Sequence, residues 1–351
     1  MTIMDLVAPV PQHGKASKAM PENMTQEDNS MYDPENPSVV KVTVVGCGGA
    51  GINISRSFIN DPRVNTLYFD TSKTNTRRDE KVFVMANGDG SGSHRAENAA
   101  EIERTVSQLS DEEMGIGDVA IVISSLGGGS GSVINPLLIR EYNRRGVRVI
   151  GVAVADTSYS VAATNSHNTL KTLTAIAKNN KIYLPMIIVS NDQASRRDVD
   201  TVLADMIHNL INLLTQPVHE VDRNDRLNWI NPTKVVDSPA GIKLISLNQI
   251  STKNKIVLGA ESKEMVDSML ILQSSDDDTP TRESGLLPAR YRKTGFYWDK
   301  SQKTIIGKIT SDITDINSII DQVEKMGHQD RSQKHQTVDR LDSNGSGDLI
   351  L

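Results

Sequence analysis

The sequence predicts an α/β protein: a parallel-sheet nucleotide-binding domain, a long central helix, and a smaller α/β second domain. Three observations carry this. Apolar runs rich in β-branched residues alternate with helical segments from Val39 to Ser190, the pattern of strands buried on both faces of a parallel sheet. Two of those runs end in glycine-rich junctions that lead straight into helices. Farther on, Val199 to Leu214 repeats apolar residues at helical spacing through Val202, Leu203, Met206, Ile207, Leu210 and Ile211. So wide a stripe suits a helix held between two layers.

Residues 1–38 are rich in Pro, Met, Asn and Glu without a period and read as a mobile extension. A strand over Val39–Val45 ends at Gly46. A helix over Ile52–Ile59, a strand over Thr66–Phe69 and a short strand over Val82–Met85 follow. The polar loop Asn87–Ser93 leads to a helix from Arg95 to Leu109, then to the strand Val119–Ile123. Beyond the second glycine junction come a helix (Val133–Arg145), a strand (Val147–Ala155), a helix (Thr164–Ala177) and a strand (Tyr183–Ser190). Pro217 stops the long helix. After Pro232 the strands Ile242–Leu247, Met269–Leu272, Gly295–Trp298 and Thr304–Ile309 have shorter connections. The expected units are a nucleotide domain at 39–197, the central helix at 198–216, a second domain at 217–320 and a flexible tail at 321–351.

Composition narrows the function. The chain has 351 residues and a formal net charge of -6, and aromatics make up only 4%. An acidic, aromatic-poor chain is not expected to bind nucleic acid directly. Cys47 is the single cysteine, so an internal disulfide is impossible and a reducing, cytoplasmic setting is expected. Cys47 reads as a small filler residue. No run suggests a membrane segment. His94, His167, His208 and His219 are dispersed without metal-ligand spacing.

The glycine junctions carry the chemistry. Gly46-Cys47-Gly48-Gly49-Ala50-Gly51 and Gly127-Gly128-Gly129-Ser130-Gly131-Ser132 each join a strand to a helix. Backbone N–H groups uncovered by side chains, at the positive end of a helix, cradle phosphate. The first junction alone fits G-x-G-x-x-G, and Asp70 closes the next strand where a ribose-binding acid sits. A dinucleotide-binding oxidoreductase is therefore the alternative reading. Against it stand the second junction, a third glycine loop at Gly88-Asp89-Gly90-Ser91-Gly92-Ser93, and the lack of a catalytic set for hydride transfer. Three loops facing one crevice suit a mononucleotide with a phosphate chain. No G-x-x-x-x-G-K-[ST] occurs, so backbone N–H groups, helix ends and Mg²⁺ would hold the phosphates.

With these residues the chain resembles the tubulin and FtsZ family of self-assembling GTPases. The family signature G-G-G-T-G-[ST]-G is met by Gly127 to Ser132, with Ser130 in place of Thr and Val133 in place of the last Gly. The resemblance implies GTP and GDP as ligands, with Mg²⁺. It places Gly46 to Asn53 in the first phosphate loop, Asp70-Thr71 after the second strand, and Gly88 to Ser93 in the loop that senses the γ-phosphate. It puts Asp156-Thr157 beside the ribose, Asn191-Asp192 near the base, and Asp200 of the long helix against guanine. The family motif N-x-D-x-x-D matches at Asp222 and Asp225, with Glu220 in place of Asn. These acids would position the attacking water in the site of the next subunit, so the expected partner is the chain itself in a head-to-tail polymer. The long N-terminal extension and Ser130 suggest a divergent phage- or plasmid-type branch. The second half is locally basic at Arg282, Arg290, Arg292, Lys293, Lys300, Lys303 and Lys308. The tail carries Asp339, Asp342, Asp348 and an apolar end, and is expected to dock there on a neighbouring subunit.

Overall fold

The computed structural model describes residues 39–74, 77, 80–86, 90–156, 158–191, 195–250, 266–273, 289–297, 303–311 and 321. The N-terminal extension, Gly88, Asp89, Thr157, Asp192, Arg282, Lys300 and the tail from 322 onward lie outside them.

Among the described residues, ten strands and six α-helices follow in chain order. The first half holds β1 (Val42–Cys47), α1 (Gly48–Ser55), β2 (Val64–Asp70), β3 (Val82–Val84), α2 (Ala99–Gln108), β4 (Val119–Ser125), α3 (Gly131–Arg144), β5 (Arg148–Ala155), α4 (Ser160–Asn179) and β6 (Tyr183–Ser190). The second half holds α5 (Arg196–Thr215), α6 (Arg223–Ile230), β7 (Gly241–Ile250), β8 (Val266–Gln273), β9 (Ala289–Phe296) and β10 (Thr304–Thr310). All strands join one sheet in the order β3-β2-β1-β4-β5-β6-β7-β10-β8-β9. Pairing is parallel from β3 to β7 and antiparallel where β10 meets β7 and β8. β9 lies parallel to β8 at the edge.

Period-2 alternation splits the strands between two cores. Val45, Ala120, Val122, Val149 and Ala153 face Ile102, Val106, Ile134, Leu138, Tyr142, Leu170 and Leu173 of α2, α3 and α4. Their neighbours Val44, Ile121, Ile123, Ile150 and Val152 face the other way, toward α1, α5 and α6. The mostly parallel sheet covered on both faces is thus the predicted one. Within α5, Leu203, Ile207, Leu210, Ile211, Leu213 and Leu214 are fully buried. They share a core with strand residues of both halves, including Ile150 and Val152 on one side and Leu270, Leu272, Ile305 and Ile309 on the other. Val202, which the sequence pattern placed in this stripe, is 43% exposed; a helix surface 360° around cannot all be covered, and its edge faces solvent.

Two differences from the sequence reading bear on function. A helix, α6, starts at Arg223 in the segment after Pro217, to which the sequence pattern assigned no helix. Its Trp229 is fully buried and donates Nε1–H to the Gly307 carbonyl of β10 at 3.2 Å. Further, β6 and β7 pair directly, Tyr183 with Gly241 through Met186 with Leu244, so hydrogen bonding is continuous across the expected domain boundary. A buried polar group sits at that seam. The Asp267 carboxylate accepts from Tyr183 Oη at 3.3 Å, Ser238 Oγ at 3.1 Å and Ser311 Oγ at 2.6 Å. Lys243 Nζ stands 3.6 Å from it. A buried charge needs such partners to persist.

The turn out of β1 is the tightest approach in the sheet. A Cβ on Gly51 would stand 2.2 Å from the Ile123 carbonyl oxygen of β4, whereas Gly128 has open space. Gly51→Ala should lower the urea midpoint, losing about 1–3 kcal/mol as expected for overpacking. Gly128→Ala should leave the midpoint within about 0.5 kcal/mol, as surface changes do.

Candidate nucleotide site

The carboxyl ends of β1, β4, β5 and β6 open into a cleft of about 500 Å³. In open α/β sheets ligands bind at such ends. Gly48, Gly49 and Ala50 line it from the first junction and Gly127 to Gly131 from the second. The two junctions nest: a Cβ on Gly131 would stand 2.6 Å from the Cys47 carbonyl oxygen, and Gly48 adopts φ +67°. Neither α1 nor α3 has a side-chain cap. Without a cap, N–H groups of these first turns can donate to an anion. α2 and α4 likewise lack one, whereas Ser195 caps α5 and Asp222 caps α6.

Three loops lock together at the floor through hydroxyls. Thr71 Oγ1 lies 2.5 Å from Ser130 Oγ and 3.2 Å from Ser91 Oγ, and Ser91 lies 3.3 Å from Ser130. Asp70 accepts the Thr71 N–H at 2.7 Å, and Asn98 Nδ2 donates to Ser91 Oγ at 3.1 Å. Asn165 Nδ2 donates to the carbonyls of Gly127 and Ser93 at 3.1 and 2.9 Å, which ties the third loop to the signature loop. Arg95, just beyond, reaches the Ser132 carbonyl at 3.3 Å, and its burial lowers its pKa.

The far end of the cleft is lined by Asp156, Tyr159, Asn191, Arg196, Val199 and Asp200. Asp156 Oδ1 accepts from the N–H and the hydroxyl of Ser158 at 3.1 and 2.6 Å. Arg196 and Asp200 stand one turn apart on α5. Burial raises the Asp200 carboxyl above its ordinary pKa, and the Arg196 charge partly opposes the rise.

Of the expected ligand residues, Cys47, Gly48, Gly49, Asn53, Asp70, Gly90, Gly127 to Gly131, Asp156, Asn191 and Asp200 therefore share one cleft. Gly46, Gly51, Gly92 and Ser132 do not line it. A Cβ on Gly46 would stand 2.3 Å from Ser55 Oγ, so Gly46 and Gly51 serve helix–strand packing. Ser132 is fully buried and donates to the Gly129 carbonyl at 3.1 Å, bracing the loop. Sequence reasoning missed Ser72, Ser125, Val154, Tyr159, Arg196 and Val199. Arg196 carried a usable signal, its i,i+4 spacing from Asp200; the others lack one.

Asp222 and Asp225 are elsewhere. They form a capping box at the start of α6: Asp222 Oδ1 accepts the Asp225 N–H at 2.8 Å and Asp225 Oδ2 accepts the Asp222 N–H at 3.3 Å. Arg223 between them is ion-paired with Asp118, which precedes β4. Arg148, the first residue of β5, donates Nε–H to the Leu227 carbonyl at 3.1 Å. α6 therefore sits at the amino ends of the strands, opposite the cleft. The 20 residues of α5 separate the two, a length of about 30 Å.

The cleft fits a phosphorylated nucleotide: uncapped helix starts, glycine backbone without Cβ cover, and hydroxyl donors converge there. Among the described residues no cluster of three or more His, Cys, Asp and Glu side chains stands ready for a metal.

No protein-family model matches the chain. It is 32% identical over 201 residues to a phage tubulin-like protein of Pseudomonas phage PhiPA3, a match covering 56% of this chain and 63% of that one. With the phage tubulin-like protein of Pseudomonas phage phiKZ it shares 25% identity over 276 residues, 74% of this chain and 80% of that one. The structure of the phage tubulin PhuZ with GDP superposes with a TM-score of 0.73 at 22% identity, covering 89% and 96% of the two chains. A protofilament of TubZ from bacteriophage PhiKZ gives 0.71 at 22%, covering 89% and 95%. At such identity the structural likeness establishes the fold.

The Cys47 thiol is fully buried, and desolvation, helped by the Asp70 charge, pushes its pKa well up. Only the thiolate reacts. Thiol reagents at pH 8 should therefore leave the native protein unlabelled and modify one cysteine per chain after unfolding in urea, as read by mass spectrometry.

Proposed function

We propose that this chain is a divergent member of the tubulin/FtsZ family, a GTPase that polymerises head to tail. One observation carries the reading: the cleft and the Asp222–Asp225 pair stand at opposite ends of the subunit, about 30 Å apart along α5. Neither can act on the other within one molecule. Stacking copies along that axis would bring the acids of one subunit to the open cleft of the next.

In this reading Gly48 to Ala50 and Gly128 to Gly131 hold the phosphates, with Mg²⁺ offsetting their charge. The Thr71–Ser91–Ser130 hydroxyls meet the terminal phosphate. Asp200 accepts from the purine edge; an ionised carboxylate is acceptor-only, which favours guanine with its adjacent N–H donors. Asp222 and Asp225 orient water for in-line attack, since phosphoryl transfer depends mostly on positioning and electrostatics. The residues fall into a nucleotide unit before α5 and an activating unit after it. GTP favours assembly, and hydrolysis at the junction loosens it. The filament works in a bacterial cytoplasm, positioning phage or plasmid DNA or other cargo.

The dinucleotide alternative shares the strand order β3-β2-β1-β4-β5-β6. It leaves the second junction, which lines the same cleft, without a ligand. Incubation with GTP, GDP and NAD(H) in parallel separates the two.

Asp225→Ala should bind GTP and pellet with it, yet turn over at least about a hundredfold more slowly, the scale of acid–base assistance. Phosphate release from the pelleted fraction checks this, and turnover at the wild-type rate would remove the catalytic assignment.

The acidic, apolar-ended tail docks on a neighbouring subunit, where β9 presents Arg290 and Arg292 as exposed residues on an edge strand. Truncation before Asp339 should raise the critical concentration measured by light scattering, more so at low salt, where screening is weakest.

A further inference from the structure

Asp225 has partners that the sequence motif does not contain. β9 alternates, so Tyr291 and Lys293 point to one face while Arg290 and Arg292 point to the other. The first face looks onto the start of α6. Tyr291 Oη donates to Asp225 Oδ1 at 3.0 Å, and Lys293 Nζ lies 3.0 Å from the same oxygen. The other carboxylate oxygen is occupied by the Asp222 N–H. Asp225 is thus held from two elements far apart in sequence, while Asp222 remains exposed.

We propose that Lys293, assisted by Tyr291, is a positioning residue for hydrolysis at the subunit junction, holding Asp225 as a fixed, charge-balanced carboxylate. This rests on the reading of Asp225 as a catalytic acid acting on the next subunit. Two carboxylates advancing on a polyphosphate meet like-charge repulsion, strongest where water is excluded. A lysine beside one of them removes half of that charge. It also fixes the carboxylate against the swing that would otherwise take it out of line, and small misplacements cost catalysis heavily. A purely structural role fits poorly. The Lys293 side chain is 42% exposed, and exposed ion pairs contribute little to stability. The raised pKa of Tyr291, caused by burial and then by its bond to Asp225, keeps its proton in place as a donor.

The test compares Lys293→Met, Lys293→Arg, Tyr291→Phe and Asp225→Asn in full-length protein, measuring phosphate release per pelleted subunit, critical concentration and thermal midpoint. Lys293→Met should slow turnover by about ten- to hundredfold with critical concentration and midpoint near wild type. Lys293→Arg should restore most of the rate, and Tyr291→Phe should lose several-fold. If Lys293→Met fails to pellet, Tyr291→Phe decides: wild-type turnover in its filaments overturns the proposal, and slowed turnover supports it. Wild-type turnover in Lys293→Met with a slow Asp225→Asn overturns the positioning role and leaves the catalytic acid standing. Wild-type turnover in Asp225→Asn overturns the catalytic reading itself, and this inference with it.

Discussion

The close approach of two backbone turns is the constraint on which the rest depends. The β1–α1 and β4–α3 turns lie so near each other that a Cβ at Gly131 would meet the Cys47 carbonyl at 2.6 Å, and one at Gly51 would meet the Ile123 carbonyl at 2.2 Å. Because they nest, α1 and α3 begin side by side at the mouth of the sheet. Backbone N–H groups left without partners are costly when buried. Here neither helix has a side-chain cap, so water or an anion can complete them. A phosphate bound there would remove that deficit. The glycines thus serve two ends at once: some remove steric bulk between strand and helix, and others expose donors to the cleft.

In the proposed reading, helix α5 turns this cradle into half of a site. Its first turn lines the cleft through Arg196, Val199 and Asp200, and its apolar stripe packs between strands of both halves of the sheet. Close-packed interiors transmit displacement rather than absorb it. An α5 shift prompted at Asp200 would be felt by Leu270, Ile305 and Ile309, which share its core. The Lys243–Asp267 group at the β6–β7 seam resists separation of the halves, since each buried charge depends on the other and on the hydroxyls of Ser238 and Ser311.

Much of this was legible in the sequence because it follows from local rules. The strand Tyr183–Ser190 coincides with β6, and the two glycine junctions lie where strand gives way to helix. Periodicity could not tell a ligand-facing glycine from a packing one: Gly51 and Gly128 differ only in what the fold sets opposite them. Nor could it reveal α6 after Pro217. That helix has its apolar residues clustered at Leu227, Trp229 and Ile230 and charged residues in its first turn, so it reads as a loop until tertiary contacts fix it. The Asp222–Asp225 spacing was visible as a motif, but the same spacing is that of a capping box. The partners Tyr291 and Lys293 lie 66 residues or more farther along the chain, beyond the reach of any local rule.

The double use proposed for those acids is physically consistent. A carboxylate has about four lone-pair sites, and a cap takes only one per residue. Asp222 is exposed and keeps the remainder for water. The cap also fixes the backbone of the first turn, so both side chains leave from a rigid platform rather than from a loop that must be ordered at each encounter. The positive end of α6 lies directly behind them. Its partial charge, with that of Lys293, offsets part of the repulsion that two acids would feel on nearing a phosphate chain. A bare acidic loop would lack both the rigidity and the charge balance. What stabilises the helix start in the lone subunit is therefore what makes the acids presentable to another.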